Sequence, residues 1–90
     1  MAKVYVVQEN PRVNILAAGR YGELIPLLNP GKQITLSSAP VVRLMRQKLK
    51  DYNDDDFILA MGDPVAIGIS CIIASEVNNG KVNILKWDRE

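Results

Sequence analysis

The chain has 90 residues, enough for one small domain and no second. Apolar residues make up 48% and charged residues 23%, and 11 basic against 10 acidic side chains leave a formal charge of +1. That balance is globular and excludes a strongly basic, tail-driven nucleic-acid binder. The lack of histidine removes the commonest general base and metal ligand, and a single cysteine excludes an intramolecular disulfide or a cysteine metal cage.

Lys3–Gln8 is a β-branched and aromatic run and reads as a first strand, ended by Glu9-Asn10-Pro11. It begins directly after the start of the chain, without the charged segment, apolar stretch and small-residue cleavage site of a secretory signal. Residues 12–21 read as a loop carrying a short strand or a helical turn. Residues 22–28 form a second strand, and Pro26 places it at an edge or a bulge because proline has no N–H for a ladder. Asn29-Pro30-Gly31-Lys32 is a turn signal, which predicts a third strand at 33–36, antiparallel to the second.

Ser37-Ser38-Ala39-Pro40 opens a helix, with serine as the cap and proline in the first turn. Val41, Leu44, Met45, Leu49 and Tyr52 recur on one side of it, and Arg43, Arg46, Gln47 and Lys50 on the other, up to an end at 51–53. After a polar Asp54-Asp55-Asp56, the continuous apolar run 57–61 reads as a strand buried on both faces. Asp63 caps a second helix, Pro64 takes its first position, and Asn79-Gly80 stops it with left-handed residues. The competing reading is a long hairpin, because 65–77 is rich in isoleucine and valine and Asn-Gly also turns hairpins. The length of the run and the Asp-Pro start favour helix. Residues 81–87 form the last strand. The expected fold is one α/β domain over residues 1–90 in the order β-β-β-α-β-α-β. Its sheet is mixed, with a hairpin between the second and third strands followed by two βα units.

Parallel βα units bring Ser37, Ser38, Gly62 and Asp63 to one edge of the sheet, at two helix N-termini, where α/β proteins bind ligands. The functional reading is a site for a nucleotide or small metabolite, and the plainer one is that these residues only cap helices. The Asp63 carboxylate opposes a phosphate and suits a ribose hydroxyl, an amine or an arginine from a partner. Arg43, Arg46 and Lys50 offer a basic face for nucleic-acid phosphates, set against the plainer reading of a solvated helix face. The aspartate run 54–56 points in several directions and is not expected to hold a metal. Cys71 lies among isoleucines and reads as an inert core thiol. No nucleophile stands beside a recognisable base, so the chain is expected to be no enzyme and to need no cofactor. The second helix is apolar nearly all round, which predicts cover on both sides and a homo-oligomer built on Ala66, Ile69, Ser70, Ile73 and Ala74.

The strand Phe57-Ile58-Leu59-Ala60-Met61, then Gly62-Asp63-Pro64, then Asn79-Gly80-Lys81 and Leu85-Lys86-Trp87-Asp88-Arg89 together resemble a family of small proteins encoded by tailed bacteriophages. Val4-Tyr5-Val6-Val7-Gln8-Glu9 and Tyr21-Gly22-Glu23-Leu24 extend the resemblance over most of the chain. It implies a phage product working in the cytoplasm of the infected bacterium, and it carries over no catalytic residue. The leading expectation is a non-enzymatic accessory protein that binds a host protein or nucleic-acid machinery as an oligomer, without a membrane. The alternatives are the small-ligand site at the sheet edge and the nucleic-acid face of the first helix.

Overall fold

The structure, a computed structural model, describes residues 2–29 and 39–87. Its elements run β1 (Lys3–Gln8), a 3-10 helix (Leu16–Tyr21), β2 (Glu23–Leu28), α1 (Ala39–Leu49), β3 (Phe57–Ala60), α2 (Pro64–Val77) and β4 (Ile84–Lys86). The strands form one sheet in the order β2-β1-β3-β4, and each pairing is parallel. The α/β class and the βα alternation agree with the sequence reading. The expected strand at 33–36, and with it the hairpin and the antiparallel part of a mixed sheet, lie outside the described residues.

The order of the strands decides where the helices go. From β1 to β2 the chain steps one way across the sheet, and from β2 to β3 and on to β4 it steps the other way. Crossovers of one hand then put the first connection on one face and the two later helices on the opposite face. The packing agrees. Tyr5, Val7, Leu27 and Ile58 meet Met45 and Leu49 of α1 and Ala66, Ile73 and Ala74 of α2 in one cluster. Val4, Val6 and Leu59 meet Ile15 and Ala18, around the 3-10 helix, in the other.

Local chemistry explains the element ends. Asp63 accepts the Val65 N–H at 2.8 Å and starts α2, with Pro64 at its first position. Asn79 (φ 56°) and Gly80 (φ 83°) take the left-handed conformation that stops it, and the Gly80 N–H returns to the Ser75 carbonyl at 2.7 Å. The helix reading of 65–77 therefore holds against the hairpin. Pro26 sits exposed on β2, an edge strand of the sheet among the described residues, where a proline is tolerated. The Lys48 ammonium reaches from α1 to the Pro26 and Leu27 carbonyls, at 3.0 and 3.3 Å, and covers acceptors on that edge.

The amino ends of the strands are tied by one buried carboxylate. Asp56 is 1% exposed and accepts the Lys3 N–H at 2.9 Å and the Asn53 N–H at 3.0 Å. Its carbonyl accepts from the Tyr52 hydroxyl at 3.0 Å and the Asn83 amide at 3.0 Å. Burial pushes the Tyr52 hydroxyl above its ordinary pKa, so it stays protonated and keeps this donor. Asp54 meanwhile accepts from the Asn78 amide at 2.8 Å. Two of the three consecutive aspartates thus hold chain segments together. Removing the Asp56 carboxylate leaves two N–H groups without their acceptor. Asp56→Ala should lower the unfolding free energy by ~2 kcal/mol or more, measured in urea, while Asp56→Asn, which keeps one side-chain oxygen, should lose less.

Candidate functional site at the carboxyl edge

β1 and β3 are adjacent and parallel, so Gln8-Glu9-Asn10 and Met61-Gly62-Asp63 emerge side by side at the carboxyl edge. The chain leaves β1 toward β2 on one side and leaves β3 toward β4 on the other. The edge between them is the topological switch point, where the outgoing connections diverge and leave a crevice. A cavity of about 450 Å³ opens there, bordered by Gln8, Glu9, Asn10, Met61, Gly62 and Trp87 among others.

One amide organises this edge. The Gln8 side chain, 6% exposed, accepts the Asp63 N–H at 2.9 Å and donates to the Asn29 carbonyl at 3.1 Å. It therefore joins the ends of β1, β2 and β3. The Gln8 backbone N–H also bonds the Met61 carbonyl at 3.1 Å, which carries the ladder past the end of β3. Gly62 then turns the chain away with φ +106°, a conformation L side chains rarely adopt. A Cβ at Gly62 would run into the Gln8 Cβ and lie 2.9 Å from the Gln8 carbonyl oxygen. The opposite wall is held by Asn10, whose side chain accepts the Arg12 N–H at 3.0 Å and whose carbonyl accepts the Val13 N–H at 2.9 Å.

Of the residues expected to bind a ligand, Gly62 lines the cavity. Asp63 sits beside it, and its carboxylate caps α2. Ser37 and Ser38 lie outside the described residues. Sequence reasoning did not single out Gln8, Glu9, Asn10 or Trp87. The available signal was a polar amide closing an otherwise apolar strand, directly followed by Glu-Asn-Pro.

The basic face of α1 is partly engaged within the molecule. Arg43, Arg46 and Lys50 are all exposed, and Arg46 pairs with Glu76 of α2 at 3.1 Å. The assembly residues require a correction. Ala66, Ser70 and Ala74 are fully buried and Ile73 is 2% exposed, all within the chain's own core. Their small side chains let α2 approach its own sheet, and the Ser70 hydroxyl is satisfied by the Ala66 carbonyl at 2.8 Å. Ile69 packs at the margin of the same cluster. Val65, Ile72 and Val77, at 56%, 59% and 40% exposure, are large apolar side chains that α2 presents outward.

Burial pushes the Cys71 thiol above its ordinary pKa, which lowers its thiolate fraction at neutral pH. No helix among the described residues is long and apolar enough to cross a membrane.

Gly62→Ala should destabilise the domain by ~1–3 kcal/mol, through the strained backbone and the clash with Gln8. Thermal unfolding measures this, and an unchanged midpoint would show that the turn is not constrained as described.

A model of one protein family, described as Phage Pam3 gp32-like protein, matches residues 2–90. No curated protein and no solved structure matches the chain.

Proposed function

The chain belongs to the Phage Pam3 gp32-like protein family, a phage protein family, and from that premise we propose that it works by binding a small polar ligand in the crevice between β1 and β3. One observation carries this reading: the 450 Å³ cavity opens at the switch point of a parallel sheet, the place where such folds accept ligands. The lining suggests the ligand class. The Glu9 carboxylate accepts from hydroxyl or amine donors and repels phosphate. Asn10 adds an amide, and Met61 and Trp87 add apolar wall. A nucleoside or a small amine-bearing metabolite fits this combination better than a phosphate group does. Adenosine, cytidine and putrescine are suitable probes. At least one should raise the melting temperature of the wild-type protein, and the shift should vanish in Glu9→Gln/Asn10→Ala. Silence from all three, or a shift that survives the double substitution, would overturn the reading.

The outer face of α2 supports a second reading, in which the protein joins a second copy of itself or a host protein in the infected bacterial cytoplasm. Its carrying observation is the exposure of Val65 and Ile72. Sedimentation at micromolar concentration should then show a dimer that Ile72→Lys dissociates, and a wild-type monomer would end the self-association form of this reading.

A further inference from the structure

The sheet face opposite α1 and α2 is covered by the 3-10 helix mainly over β1 and β2, with Tyr21 at its end reaching Phe57 of β3. On the β3–β4 half of that face, Leu59 and Leu85 lie at a second cavity of about 240 Å³. Arg20 and Tyr21 border it from the end of the 3-10 helix, and Lys86 and Trp87 border it from the end of β4. Two basic–aromatic pairs, remote in sequence, thus meet across one groove.

The first pair is already arranged. The Tyr21 ring packs edge-on against Phe57, with centroids 5.6 Å apart and planes at 63°. The Arg20 guanidinium carbon lies 5.2 Å from the Tyr21 centroid, and Arg20 Nη2 donates to the Tyr21 hydroxyl at 3.2 Å. Tyr21 remains 40% exposed. A half-exposed ring that already packs on Phe57 and lies beside a guanidinium is placed to receive a flat ligand. The charge here is opposite to that of the carboxyl-edge cavity: Arg20 and Lys86 border the groove, whereas Glu9 borders the other.

We propose that this groove binds single-stranded nucleic acid, with bases stacked on Tyr21 and Trp87 and the phosphate backbone facing Arg20 and Lys86. Aromatic faces accept any base, and nearby cations neutralise the phosphates between stacked bases, so binding is tolerant of sequence and sensitive to salt. Two aromatic platforms at one open groove suit successive bases of a strand. This site differs in charge from the small-ligand crevice and shares Trp87 with it. It also differs from the α1 face carrying Arg43 and Lys50.

Trp87 is the only tryptophan in the chain, so its emission reports on the groove and on the crevice it also borders, and the Arg20 and Tyr21 substitutions tell the two apart. Titration of the full chain with an oligodeoxythymidine at low salt should quench Trp87 fluorescence, with an apparent affinity that falls as salt rises. Arg20→Gln and Tyr21→Ala should each weaken binding by about tenfold, and Arg43→Ala/Lys50→Ala should leave it unchanged. Arg20 is exposed, so Arg20→Gln tests the site without disturbing the core contact that Tyr21 makes with Phe57. The proposal is overturned by an unquenched wild-type protein or by quenching that Arg20→Gln leaves intact. Equal quenching by thymidine monophosphate, or loss of binding only in Arg43→Ala/Lys50→Ala, would overturn it as well.

Discussion

Val4 and Val6 of β1 pack on one side of the sheet and Tyr5 and Val7 on the other, and none of the four is more than 2% exposed. A central strand that is apolar on both sides requires a cover on both faces of the sheet. The described residues form two α-helices, and the topology sends both to the same face. The other face receives the six-residue 3-10 helix, which reaches over β1 and β2 and stops at Tyr21. The unequal cover explains why one side of the sheet is closed by Met45, Leu49 and Ile73, whereas the other opens into a groove at Leu59 and Leu85.

The two ends of the sheet are closed by different chemistry. At the amino edge the polar groups are consumed: Asp56, Tyr52 and Asn83 satisfy one another and the neighbouring backbone. No buried side-chain nitrogen or oxygen among the described residues lacks a partner. At the carboxyl edge the Gln8 amide joins the strand ends, while the chain diverges around it. A buried, satisfied network rigidifies. The amino edge is therefore the scaffold, and the carboxyl edge, held from below by Gln8 and turned by Gly62, carries the crevice.

Much of this fold is legible from local signals. Asp63-Pro64 starts a helix and Asn79-Gly80 ends it because capping and left-handed conformations depend on those residues themselves. The run 57–61 reads as a doubly buried strand because apolar continuity needs no partner to be recognised. What depends on neighbours was not legible. The stripe Ala66, Ser70, Ala74 signals close approach of a backbone but not whose, and the nearer backbone is the chain's own sheet. The expectation that α2 needs cover on both sides follows from its composition, yet at its surface only Val65 and Ile72 are more than half exposed among its large apolar side chains. Gly62, which lines the crevice, was visible as a candidate through its strand–turn–helix setting. Gln8 was not, because its role lies in hydrogen bonds to Asn29 and Asp63, which only the strand order brings near.

Charge shows the same division between segment and surroundings. By sequence the charge is segregated, with four positive side chains between 43 and 50 and five negative ones between 51 and 63. In the folded chain much of that contrast is spent internally. Arg46 meets Glu76, Lys48 meets the β2 carbonyls, Asp56 meets two backbone N–H groups and Asp63 caps its helix. Arg20 and Lys86 attract no notice in a charge count, because neither belongs to a run of like charge. Each nevertheless lies next to an aromatic residue at the border of the groove beside Leu59 and Leu85. An exposed charge paired with an acid contributes little to binding, since a ligand must displace the existing partner. Arg43 and Lys50 stay exposed on α1, whereas Arg20 and Lys86 stand next to aromatic residues at the border of a groove.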